Sequence, residues 1–87
     1  ILGMMANKDH EEYMSYFKNI SSLTTIDIPN QPNSIKGKDL KNKLNKFPNL
    51  NYERSIEDAL KKISTNKDDI ILITGSLYLA GEVLNLN

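Results

Sequence analysis

The chain has 87 residues, enough for one small domain with a modest core. Its 11 basic and 11 acidic residues cancel, so nothing in the total charge draws it to nucleic acid or to an anionic membrane. Cysteine is absent, which removes disulfides, thiolate chemistry and cysteine-ligated zinc, and the single histidine, His10, cannot form a histidine cluster. No apolar run approaches the roughly 20 residues of a membrane helix, and no basic flank precedes the apolar start as it would in a signal peptide. A cytoplasmic location is the expectation.

In chain order, Ile1 to Met5 reads as the end of a strand. A chain that opens inside a buried element is unusual, because termini lie mostly at the surface, so the sequence reads as the N-terminally truncated part of a longer polypeptide. Asp9 and Glu12 have the spacing of a capping box and predict a helix start. Tyr13, Met14, Tyr16, Phe17 and Ile20 give that helix an apolar face. Leu23 to Ile28 alternates, is β-branched and predicts a strand. Pro29 to Asn33 forbids regular structure and forms a loop.

Ile35 to Phe47 is expected to be helical, with Leu40, Leu44 and Phe47 on one face and Pro48 and Asn49 ending it. Leu50 to Glu53 reads as a short strand. Ser55, with Asp58 three residues on, starts another helix whose inward face is Ile56, Ala59, Leu60 and Ile63. Asp69 to Ile73 runs from a charge into a continuous β-branched apolar block, which suits a strand buried on both faces. After the small polar turn Thr74-Gly75-Ser76, helical spacing resumes to the end. Strands alternating with helices predict right-handed βαβ units, an α/β fold and a mainly parallel sheet with flanking helices.

Ligands of open α/β sheets bind beyond the carboxyl ends of the strands. Two segments fall there: Met4 to Asp9 after the first strand, and Thr74 to Ser76 after the last. A helix N-terminus carries unpaired N–H groups and partial positive charge, and Ser76 either caps it or offers its hydroxyl to an anion. Lys8 would bring an ammonium to the same rim, so the pair could hold a carboxylate. The plain alternatives are a serine-capped turn and an ordinary surface lysine. His10 reads as a solvated helix residue, with general-base chemistry as the sharper alternative. Lys36, Lys38, Lys41, Lys43 and Lys46 are offset only by Asp39. Without interleaved aromatics they read as a solvated face rather than a nucleic-acid surface. There is no P-loop, no GxGxxG, no GxSxG and no metal-spaced acid cluster.

Two stretches resemble one known family. Ile1-Leu2-Gly3-Met4-Met5-Ala6-Asn7-Lys8-Asp9 resembles the GMMxDKD segment of folylpolyglutamate synthases. Thr74-Gly75-Ser76-Leu77-Tyr78-Leu79-Ala80-Gly81-Glu82-Val83 resembles their C-terminal TGSLYLxGEV signature. The resemblance implies that residues 1–87 are most of the C-terminal domain of a bifunctional folylpolyglutamate synthase and dihydrofolate synthase, a relative of the Mur ligases. The domain's first strand and the upstream ATP-binding domain would be absent. It implies a Rossmann-like fold and an ATP- and Mg²⁺-dependent ligase that joins glutamate to a folate carboxylate through an acyl phosphate. Folate, L-glutamate and the ATP-binding domain of the same polypeptide are the implied partners, with neither nucleic acid nor membrane among them.

The resemblance also assigns Lys8 and Ser76 to the incoming glutamate, at the rim reached above from topology. Asn7 departs from the pattern, which has Asp there, and the family's upstream DGAHN segment is missing. The 87 residues alone are therefore expected to be inactive, to bind neither ATP nor Mg²⁺ and to self-associate through an unpaired sheet edge. The other reading is a stand-alone, non-catalytic α/β binding module.

Overall fold

Polar side chains set the helix starts. Asp9 lies in extended backbone and its Oδ1 accepts the Glu12 amide at 3.0 Å, which starts α1 (His10–Ser15). Ser55 does the same for α3 (Ile56–Lys62), its Oγ accepting the Asp58 amide at 3.1 Å. Helix α2 (Gly37–Lys43) has no such cap from its own preceding residue, Lys36. The carboxylate of Asp27 supplies one from elsewhere, Oδ1 accepting the Gly37 amide at 2.7 Å.

These elements come from a computed structural model that describes residues 1–17, 19–63, 69–76, 79, 81 and 84. Strands β1 (Leu23–Ile26) and β2 (Leu50–Glu53) pair in parallel, Leu23 opposite Leu50 and Ile26 opposite Glu53. Leu2 extends this pairing by one residue on each side, parallel to Thr25 and to Thr74. Leu2 N donates to Thr24 O at 2.8 Å and Leu2 O accepts from Ile26 N at 3.0 Å. On the other side Thr74 N donates to Ile1 O at 3.0 Å and Gly3 N to Thr74 O at 3.3 Å. Side by side the segments therefore run β2, β1, Leu2, Thr74.

Apolar side chains cover both faces, as alternation along paired strands requires. Leu2, Leu23, Leu40 and Leu44 belong to one core cluster, which takes in Met14 of α1. Ile26, Ile28, Ile56, Ala59 and Leu79 form the other. The result is a small α/β structure with helices flanking a parallel pair. Its radius of gyration, 12.2 Å, is that of a compact chain of this length. No helix among the described residues is long and apolar enough to cross a membrane.

Several expectations need correction. Helix α1 ends at Ser15, short of its apolar pattern, and Tyr16 is 77 % exposed because the chain turns before that position can face the core. Strand β1 is buried at all four residues instead of alternating, since it has a neighbour on each edge and a core cluster on each face. Leu60 lies on the outer side of α3 and is exposed. The largest departure is the block Ile70–Ile73. It forms no strand ladder, and Ile70 is 93 % and Leu72 53 % exposed; Thr74 bridges to Leu2, and the Leu72 carbonyl accepts from the Ile1 amino group at 2.8 Å. Among the described residues nothing pairs along its far side, so the apolar run meets water there. The helix expected after Ser76 falls mostly outside the described residues; Leu79, Gly81 and Leu84 are helical.

Candidate functional site

The two segments singled out for chemistry leave neighbouring parallel stretches at the same, carboxyl end. The first begins with Met4 and Met5, which are tied to the residues after the Pro29–Asn33 loop. Met5 pairs antiparallel with Ser34, Ile35 N donates to Met4 O at 3.0 Å, and Ala6 N donates to Asn33 O at 2.8 Å. Residues 6–9 then project into solvent, Lys8 among them. The Asp9 cap turns the chain into α1.

His10 is 3 % exposed, which overturns its reading as a solvated residue. Its Nε2 lies 2.9 Å from the carbonyl oxygen of Met5. A carbonyl only accepts, so Nε2–H is the donor, and this clips the loop closed across its base. The ring is buried and engaged in structure through Nε2.

The second segment is Thr74-Gly75-Ser76. Gly75 has φ +121°, a conformation that side chains rarely adopt, and a Cβ there would collide with the carbonyl oxygen of Gly3. The turn therefore lies directly on the strand that leads to the Lys8 loop. Ser76 is half-buried behind it, and Lys8 is exposed. Tyr13 of α1 closes the arrangement from the side, its hydroxyl and that of Thr74 sharing a hydrogen bond of 2.5 Å. Lys8 and Ser76 thus belong to adjacent segments held together by Leu2, Gly3 and Tyr13.

Two other regions lack this convergence. The lysines in and around α2 do form a solvated face: Lys36, Lys38, Lys43 and Lys46 are exposed, and Lys41 is half-buried. Lys38 Nζ lies 5.8 Å from the centre of the Tyr52 ring. A cavity of about 420 Å³ opens beside Ser21, Ser22, Ile70 and Leu72, and neither Lys8 nor Ser76 lines it. Among the described residues no group of three or more His, Asp or Glu side chains converges as a metal site.

Sequence reasoning missed the network at the carboxyl end of β1. Asp27 accepts the Gly37 amide with Oδ1 and the Tyr52 hydroxyl with Oδ2, at 2.7 and 2.6 Å. Thr25 Oγ1 donates to the Gly37 carbonyl at 2.7 Å. Burial, and then the adjacent carboxylate, push the Tyr52 phenol up to about 12. A Cβ on Gly37 would meet the Tyr52 ring at 2.5 Å. The one local signal was an acid near the end of the strand expected over Leu23 to Ile28. Its partners lie 10 and 25 residues away. Compared with protein-family models, curated proteins and solved structures, the chain matches none.

Proposed function

We propose that the chain is the C-terminal, glutamate-binding domain of an ATP-dependent ligase that adds glutamate to folate, of the folylpolyglutamate synthase and dihydrofolate synthase type. In this reading the four neighbouring parallel segments are part of a Rossmann-like sheet. The observation that carries it is the double pairing of Leu2, with Thr25 on one side and Thr74 on the other. The chain leaves Leu2 towards β1 and β2 and returns on the opposite side at Thr74. Ligands of such sheets bind at the carboxyl ends where the chain direction reverses in this way, and the Lys8 loop and Ser76 turn flank that point.

The division of labour follows from the side chains. The Lys8 ammonium neutralises one carboxylate of glutamate and the Ser76 hydroxyl donates to a carboxylate oxygen. Lys8 is exposed, so its ammonium can meet a ligand arriving from solvent. The sequence has no phosphate loop. ATP and Mg²⁺ are therefore assigned to another part of the polypeptide, folate to the junction with it, and the cytoplasm to the whole. No chemical step is assigned to residues 1–87 alone.

The reading frame upstream of Ile1 tests this directly: it should encode a P-loop lysine motif followed by Asp-Gly-Ala-His-Asn. In the encoded enzyme, Ser76→Ala removes one hydrogen bond to a charged group and should raise the KM for glutamate about ten- to hundredfold, with the KM for ATP unchanged. A start codon just before Ile1 would favour the stand-alone binding module instead. Loss of ATP affinity with normal glutamate affinity would remove Ser76 from the glutamate site.

A further inference from the structure

A short side-chain contact joins the two halves of the proposed site from behind, beside the backbone bonds of Ile1 and Gly3 to Thr74. Tyr13 stands three residues after His10 on α1, half-buried against the first core cluster. Its ring lies 5.3 Å from that of Phe17, centre to centre. Packing explains the ring but not the hydroxyl, because phenylalanine would fill the same space. The hydroxyl reaches Thr74 Oγ1, 61 residues away in sequence, at 2.5 Å. Thr74 in turn is fixed to the sheet by backbone bonds to Ile1 and Gly3 and opens the turn that carries Ser76.

The opposite end of α1 is held as firmly. Asp9 caps the helix and His10 clips Met5, so the loop bearing Lys8 is attached to the helix at both of its ends. Lys8 adjoins Asp9, whose carbonyl accepts from Tyr13 N at 3.0 Å, and the Tyr13 hydroxyl meets Thr74, two residues before Ser76. Two groups bind one ligand jointly only if their separation is set beforehand; otherwise ordering them detracts from the affinity gained.

We propose that Tyr13 is a positioning residue for glutamate recognition: through Thr74 it sets the spacing of the Lys8 loop and the Ser76 turn. The inference rests on the glutamate-binding reading above. It adds a specific role for a hydroxyl pair that touches no ligand.

The 87-residue chain, labelled with ¹⁵N, is titrated with L-glutamate at constant ionic strength while the amide signals of Lys8 and Ser76 are followed. The wild type should saturate. Tyr13→Phe and Thr74→Val should each weaken the apparent affinity about tenfold, the scale of one hydrogen bond. Thr74→Ser, which keeps the hydroxyl, should bind as the wild type does. The double variant should be no weaker than either single one, since both remove the same bond. A Tyr13→Phe chain that melts earlier but binds glutamate normally would make the pair purely structural and overturn the proposal. So would independent, additive losses in the double variant. A wild-type chain whose Lys8 and Ser76 signals ignore glutamate, while potassium chloride and glutamate act alike, would overturn the glutamate reading itself, and the positioning role with it.

Discussion

The two sides of the sheet are built to different standards. On one, β1 and β2 pair over four residues each, and every residue of β1 is buried. On the other, residues 70–74 meet the Leu2 segment through one bridge at Thr74 and one bond to the Leu72 carbonyl, and Ile70 and the Leu72 side chain face solvent. By composition alone the second run is the more apolar. Burial is decided by what stands on the far side of a segment, and apolar character only makes an exposed edge costly. The difference also matters for the proposed site, which draws Lys8 from the loop after the Leu2 segment and Ser76 from the end of the open run.

Removing side chains from each side should give unequal losses. Leu40→Ala on the paired side empties a fully buried position and should cost about 2–5 kcal/mol. Leu72→Ala on the open side should stay within about 0.5 kcal/mol. Urea midpoints measure both, and equal losses would mean that the open side is covered in solution.

A charge should separate the sides in another way. Ile70→Lys places an ammonium on the exposed run, which should reduce concentration-dependent association while leaving the melting temperature almost unchanged. Sedimentation velocity across a concentration series reads the effect. Association that persists unaltered would put the contact elsewhere.

The Asp27–Tyr52 pair tests the paired side by pH. The folded phenol titrates at about 12 against 10 for the free group, so the neutral form is favoured by folding. Its contribution is complete below pH 10 and is lost as the pH rises from 10 to about 12. Tyr52→Phe should cost about 1 kcal/mol at neutral pH, the scale of one partly solvated hydrogen bond. The gap from wild type should close across that alkaline window. A gap that stays constant through it would mean that folding does not raise the phenol's pKa.

The smallest change is expected at the ion pair between Lys62 and Glu53, which spans 3.8 Å with the lysine largely in water. Lys62→Met should shift stability by less than about 0.5 kcal/mol, and salt should matter as little in either chain.

What could be read from the sequence divides along the same line. Asp9 and Ser55 act within three residues, so their caps were visible before any fold was known. The extent of β2 and the loop at Pro29–Asn33 were equally local. Placement of the Lys8 and Ser76 segments at one end of the sheet followed from alternation of strand and helix. The exposure of Ile70 and Leu72 did not, because it depends on a neighbour that the chain pattern cannot specify. His10 was misjudged for a related reason: its partner is the Met5 backbone, and a carbonyl leaves no trace in residue type. Asp27 was passed over because Gly37 and Tyr52 become its partners only after two chain reversals.

Asp27 has a consequence for the order in which the molecule comes together. One carboxylate holds the first amide of α2 and the hydroxyl at the third residue of β2. Helix α2 is seven residues long, too short to persist unaided in water. Neither element reaches its final form until the end of β1 is in place to receive both. They should therefore gain and lose hydrogen-exchange protection together, as one cooperative unit nucleated on β1, with the Gly37 amide as its reporter.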